Sequence, residues 1–224
     1  MSNKDVLLSI FTRVPVAGQV KTRLIPVLGV EGATELYTAM LDRTLRVARA
    51  SSAEEINLCC TPVNSHPSIQ ELAEKYRLNT SVQYGQDLGE RMHNAVREGV
   101  KNHSAVIILG CDCPSVELKD IDRAIEELGS GVDAVLGPAL DGGYYLIGLR
   151  EPCDYLFENV RWGSNSVLDT TRSRMRERGM RWSELPAYRD IDEKEDLASL
   201  ENHKDFHDII RNHAVLSKLV RSTA

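Results

Sequence analysis

The chain has no apolar run of the roughly 18 residues that a membrane helix needs, and residues 1–5 are too polar to begin a secretory signal. These absences lead us to expect a cytoplasmic protein with no membrane partner. It has no excess of positive charge either: 27 lysines and arginines against 33 aspartates and glutamates leave a net −6, which argues against wholesale nucleic-acid binding. Its 5 cysteines are an odd number, and their spacings (Cys59-Cys60, Cys111-x-Cys113, Cys153) match neither a zinc ribbon nor a redox pair. They are expected to be reduced and mostly buried. No Gly-x-Ser-x-Gly elbow occurs and no histidine sits in the motifs at strand ends, which disfavours hydrolysis through an activated serine or cysteine. No linker, repeat or low-complexity segment divides the chain, so residues 1–224 are expected to form one soluble globular domain, with 42% hydrophobic and 27% charged residues.

Strand-like runs alternate with helical periodicity. Strands are expected at residues 6–11, 56–60, 81–84, 105–109 and 134–137, with helices at 32–49, 68–76, 88–101 and 118–128 between them. Beyond residue 148 the pattern loosens, with helices near 164–178 and 194–202 and a strand near 182–185. Continuously apolar strands such as Val106-Ile107-Ile108-Leu109 predict an α/β fold: a mainly parallel central sheet with helices on both faces. Such sheets bind ligands beyond the carboxyl ends of their strands. The informative polar residues of this chain fall there.

The first of them form Arg13-Val-Pro-Val-Ala-Gly-Gln-Val-Lys-Thr-Arg-Leu24, which follows the first apolar run. Lys21 and Arg23 can neutralise phosphate oxygens, Thr22 adds a hydroxyl, Gly18 lets the backbone approach an anion and Pro15 stiffens the loop. Without a Gly-x-x-x-x-Gly-Lys-Ser/Thr P-loop, a basic surface turn explains the same residues equally well. After the most apolar strand comes Gly110-Cys111-Asp112-Cys113-Pro114. Asp112 is a candidate ligand for a hard cation, since Mg²⁺ takes one or two carboxylates with phosphate oxygens and water; helix capping or turn formation is its alternative. Asp141-Gly142-Gly143 joins a carboxylate to two bare backbone positions where an acceptor can lie, and it reads equally as a hairpin turn. His203 and His207, four apart on an expected C-terminal helix, have no third ligand and read as a solvated face, not zinc. Arg172, Arg174, Arg176 and Arg178 read as a wet helix face.

Five ordered motifs resemble one family. Phe11 to Leu24, Asp87 to Met92, Gly110 to Pro114, Gly137 to Leu149 and Asp190 to Leu197 are similar to the motifs of the DUF2064 group of transferases, which is glycosyltransferase-A or nucleotide-diphospho-sugar transferase-like. That group is related to the guanylyltransferases of phospholactate and of the molybdenum cofactor. Arg13 stands where the family usually has lysine, Ala17 where it has proline, and Gly163-Ser164 where Ser-Thr is usual after Trp162.

The resemblance implies a Rossmann-like glycosyltransferase-A fold. It also implies Mg²⁺ (or Mn²⁺) held by Asp112 together with Asp190 or Asp192, only one of which is expected to face the metal while the other caps the helix near Lys194. It implies Lys21, Arg23 and Arg13 facing a departing pyrophosphate, and Arg91 reaching the nucleotide, with a surface ion pair to Asp87 as the alternative for Arg91. Asp141, Gly142, Gly143 and Trp162 are then expected to border the acceptor. Lys21, Arg23 and Asp112 are the catalytic set. The expected activity is nucleotidyl transfer from a nucleoside triphosphate to a phosphorylated small-molecule acceptor, with pyrophosphate released; glycosyl transfer from a nucleotide sugar, with Asp141 as base, is the alternative. A non-catalytic nucleotide-binding module is a third reading. The expected partners are the nucleotide and a small acceptor, with a homodimer left open.

Overall fold

A strand covered on both faces needs apolar side chains at successive positions, and residues 6–11 supply them. In the computed structural model, which describes residues 5–212, they open β1 (Val6–Arg13). The expectation for residues 1–5 falls almost wholly outside that range. Neighbouring strand residues point to opposite faces. Leu8 and Ile10 of β1, with Ile107 and Leu109 of β4 (Ala105–Gly110), enter one core, while Phe11, Val106 and Ile108 enter the other. The first core is closed by α1 (Ile25–Arg49), α2 (Pro67–Tyr76) and α4 (Leu118–Ser130). The second is closed by α3 (Leu88–Gly99) and α5 (Val167–Glu177). Helices thus cover both faces.

The remaining strands are β2 (Glu55–Thr61), β3 (Asn79–Val82), β5 (Ala134–Pro138), β6 (Tyr144–Leu149) and β7 (Trp182–Glu184). They assemble into a seven-stranded sheet of order β3-β2-β1-β4-β6-β5-β7. Every pairing is parallel except the two made by β6. That strand is reversed because the Asp141-Gly142-Gly143 segment folds it back on β5, and it then inserts between β4 and β5. The turn therefore hangs beyond the carboxyl end of β5, on the side where β1 and β4 also end.

Several boundaries differ from the periodicity. Helix α1 begins at Ile25, with Pro26 in its first turn, and kinks at Gly29, whose φ of 74° ordinary residues avoid. β3 lies two residues earlier than expected, and Tyr84 has left the sheet at 79% exposure. Residues Lys194–Asn202 form 3₁₀ turns, not an α-helix. Leu197 and Leu200, both fully buried, are three apart, the spacing that a 3₁₀ turn brings into register. The two histidines share no helix. His207 opens α6 (His207–Asn212), whereas His203 precedes a short 3₁₀ turn and places Nε2 3.2 Å from Ser115 Oγ. All five cysteines are free and buried. Among the described residues no helix is long and apolar enough to cross a membrane.

Leu8 is fully buried in β1, the strand from which the cleft loop departs. Leu8→Ala is expected to lower unfolding free energy by about 2–5 kcal/mol, read as a lower urea midpoint at unchanged slope.

Candidate active site

The loop after β1 is anchored before it turns inward. Val14 donates its N–H to Thr61 O at 2.9 Å, and Val14 and Val20 are buried at 3% and 2% exposure. Between Val20 and Leu24, which is fully buried, Lys21 adopts a left-handed backbone (φ 46°, ψ 44°). For a residue with a Cβ this conformation costs of order 1–2 kcal/mol. It directs the lysine into the protein: Nζ lies 2.7 Å from Asp112 Oδ1 and 3.6 Å from Asp192 Oδ1, with the side chain 4% exposed. Burial opposes the charge, but Asp112 and then Asp192 outweigh it, and the lysine pKa is raised.

Asp112 follows β4 between two buried thiols, Cys111 at 2% and Cys113 at 3% exposure. With those two turned into the core, alternation leaves the aspartate facing outward, 49% exposed. It caps no helix, since α4 is closed by a reciprocal box between Glu117 and Asp120. From the far end of the chain, Ile191 is fully buried and donates its N–H to Asp112 O at 2.9 Å. This extended segment puts Asp190 and Asp192, two apart, on the cleft side of Ile191. Both line the cleft. Neither caps the following turns, because Glu193 and Asp196 form that box, which corrects the expectation that one of them caps the helix near Lys194. Asp192 Oδ2 accepts from Arg23 at 2.8 Å. Burial, followed by the nearby Asp141 carboxylate, pushes the Asp190 carboxyl up to about 6.

These groups border a cleft of about 740 Å³. Its walls bring together Arg13, Lys21, Thr22, Arg23, Arg91, Asp112, Asp141, Gly143, Trp162, Asp190 and Asp192. Gly18 and Gly142 are not among them. Gly18 is an exposed turn glycine (φ +79°). At Gly142 (φ +91°) a Cβ would fall 2.1 Å from Asn165 O, so this glycine serves the close packing of residues 139–143 on 163–168. Its carbonyl accepts from Leu168 N–H at 2.8 Å. Arg91 does not pair with Asp87: its Nε donates to Gly85 O at 3.1 Å, while Asp87 caps α3 through Glu90 N–H. Trp162 stacks on Phe157 and meets Tyr144 edge-on, each with centroids 6.5 Å apart. It covers Gly89, where any Cβ would collide with the indole at 2.7 Å. Of the arginines on α5, Arg172 is clamped to Glu184 at 2.7 and 2.9 Å and Arg174 binds three carbonyls. The wet-face expectation suits only Arg176; Arg178, just past the helix, lies with its guanidinium 4.6 Å from the Tyr155 ring centroid.

Tyr37 escaped the sequence reading. From α1 its hydroxyl meets Thr12 Oγ1 at 2.8 Å and accepts Arg13 N–H at 2.9 Å, fixing the point where β1 gives way to the cleft loop. Nothing local distinguishes it from any other core tyrosine of an amphipathic helix. Among the described residues no cluster of three or more His, Cys, Asp or Glu side chains is set to enclose a metal. Asp112 and Asp192 both face Lys21 from the cleft wall. Two carboxylates open to a cleft fit a hard cation that completes its shell with phosphate oxygens and water; they do not fit zinc.

No curated protein matches the chain. Among solved structures, a protein of Desulfovibrio desulfuricans G20, provisionally named a nucleotide-diphospho-sugar transferase, is 28% identical over 98% of this chain and 95% of its own, with a TM-score of 0.82. A cytidylyltransferase from Leptospira borgpetersenii serovar Hardjo-bovis is similar over 98% of each chain at 16% identity and a TM-score of 0.58. A Mycobacterium tuberculosis H37Rv protein crystallised with manganese is similar over 88% of this chain and 97% of its own, at 15% identity and a TM-score of 0.53. The mostly parallel α/β sheet described above is the fold these proteins share. Residues 44–164 match the family described as "Uncharacterized protein conserved in bacteria (DUF2064)", and the chain belongs to that family.

Proposed function

We propose that the protein is a divalent-cation-dependent transferase that uses a nucleotide donor, and that its reaction is nucleotidyl transfer with pyrophosphate release. The observation that carries this reading is the convergence of Lys21, Asp112 and Asp192 from three distant stretches of chain at one end of the cleft. The likeness to a nucleotide-diphospho-sugar transferase and, in fold, to a cytidylyltransferase supports it.

In such a transfer an acceptor oxygen attacks the α-phosphorus in line, and catalysis consists of positioning and charge neutralisation without a protein nucleophile. The residues suit that demand. Burial pushes the Cys111 thiol up to about 12 and that of Cys113 well above its ordinary range, so neither is an available thiolate. Lys21 is already charged and held, so it meets a polyphosphate with little reorganisation. Arg13 and Arg23 stand at the cleft wall to take up the charge of the leaving pyrophosphate, and Arg91 approaches from the start of α3. Asp112 and Asp192 would hold Mg²⁺ or Mn²⁺, which when bound supplies further charge neutralisation at the phosphate oxygens.

A second reading, glycosyl transfer from a nucleotide-diphospho-sugar, is favoured by Asp141 and Asp190, carboxylates available to take a proton from an acceptor hydroxyl. The leaving group separates the two: pyrophosphate for nucleotidyl transfer, nucleoside diphosphate for glycosyl transfer.

Nucleoside triphosphate at 100 times its Kd, with Mg²⁺, is expected to stabilise the protein by about 2.7 kcal/mol. In a thermal-shift titration Asp112→Ala should lose the Mg²⁺-dependent part, and a shift indifferent to both cation and substitution would point to a non-catalytic nucleotide-binding module. Lys21→Ala is expected to lower the rate of pyrophosphate release about 10²- to 10³-fold. Steady-state assays showing an unchanged rate in a folded Lys21→Ala protein would remove the basis of the reading.

A further inference from the structure

Lys21 stands where a metal cation would stand. Its Nζ is 2.7 Å from Asp112 Oδ1 and 3.6 Å from Asp192 Oδ1, and Arg23 Nη1 lies 2.8 Å from the other oxygen of Asp192. Asp112 Oδ1 is sealed from solvent and accepts no hydrogen bond of good angle, so what meets its charge is the ammonium. The two basic groups differ in what they can fall back on. Arg23 is 65% exposed and has Glu193 at 3.4 Å as a second partner. Lys21 is 4% exposed, and among the described residues Asp112 and Asp192 are the only carboxylates within 4.0 Å of its ammonium. Asp190 is within its electrostatic reach but outside that distance.

On the reading that Asp112 and Asp192 hold Mg²⁺ or Mn²⁺ beside a polyphosphate, we infer that Lys21 keeps the cation site closed until the polyphosphate arrives, so that the divalent cation is bound with the polyphosphate and not before it. Mg²⁺ takes carboxylate oxygens at about 2.0–2.1 Å, and oxygens already paired with an ammonium reach that distance only by bringing two positive charges together. A cation arriving alone must therefore part Lys21 from both of its partners and leave a buried charge without one, which is costly. Phosphate oxygens remove that penalty. They take over the ammonium in place, exchanging one set of anionic partners for another, while the carboxylates turn to the divalent ion. The left-handed turn at Lys21 aims the side chain inward in either case. By linkage, whatever factor the polyphosphate adds to cation affinity, the cation adds to polyphosphate affinity. Such coupling admits the donor as its metal complex and keeps free cation out of an empty cleft.

The test is equilibrium dialysis of the full chain against Mn²⁺, with and without inorganic tripolyphosphate. Soluble manganese complexes stand equal on both sides of the membrane, so only protein-bound metal appears as an excess. Without tripolyphosphate, Lys21→Met is expected to bind Mn²⁺ about tenfold or more tighter than the unaltered chain, and adding Asp112→Asn should abolish that gain. Arg23→Ala, which frees Asp192 of an exposed partner only, should change the affinity by less than about threefold. Tripolyphosphate should raise the Mn²⁺ affinity of the unaltered chain about tenfold or more, and that of Lys21→Met by less. Equal Mn²⁺ affinity of Lys21→Met and the unaltered chain without polyphosphate overturns the inference, and an Arg23→Ala effect as large as that of Lys21→Met overturns its assignment to Lys21. If Lys21→Met fails to fold, as read by urea titration, the unaltered chain decides by itself: manganese binding indifferent to tripolyphosphate overturns the inference. Absence of protein-bound manganese from every sample, tripolyphosphate included, instead sinks the cation site and the underlying reading with it.

Discussion

One buried ammonium group organises the cleft end of this molecule. Lys21 lies between Asp112 and Asp192, and each of the three comes from a different part of the chain: the loop after β1, the end of β4 and the segment after β7. A lysine taken out of water loses far more solvation than one carboxylate in a high-dielectric surface pair returns, so its charge persists only where partners surround it. Here the two carboxylates raise its pKa despite burial. Backbone strain at Lys21 has the same origin, because the left-handed turn is what aims the side chain inward.

The packing around this triad explains why distant segments meet reproducibly. Val20 and Leu24 bracket the lysine in the larger core, Cys111 and Cys113 bracket Asp112, and Ile191 separates Asp190 from Asp192; all five are buried. In each case a buried neighbour acts as an anchor; the left-handed turn then aims Lys21 inward, while alternation directs the aspartates to the cleft. The bond from Ile191 N–H to Asp112 O continues the arrangement in the backbone itself. Acidic and basic groups are interleaved in the cleft: Lys21 and Arg23 pair with Asp192, and Asp190 feels both the Asp141 carboxylate, which helps raise its pKa, and Lys21, which opposes the rise.

Much of the fold was legible because its signals are local. Continuous apolar runs separated by amphipathic stretches marked β1, β2, β4 and β5 and the helices between them, and helices on both faces followed from strands with no polar side. What was misread depended on partners remote in sequence. The stretch 194–202 carries helix-like composition, yet Leu197 and Leu200 settle into the core by 3₁₀ turns. Gly142 looked like room for a ligand and is instead the contact point for Asn165. Gly18 looked like an anion cradle and is not among the residues that line the cleft. Tyr37 carried no mark at all, since its hydroxyl matters only through what α1 packs against.

By itself, then, the order of residues determined that the chain forms a layered α/β sheet and that charged residues follow the ends of its strands, because periodicity and turn chemistry act over a few neighbouring positions. Only the tertiary structure decided which of those charges meet. Lys21 and Asp112 are 2.7 Å apart in space though far apart in sequence, and that proximity is set by how β1 and β4 pair and by how Ile191 is buried. Pairing and burial are interactions between remote segments, and nothing local in the sequence encodes them.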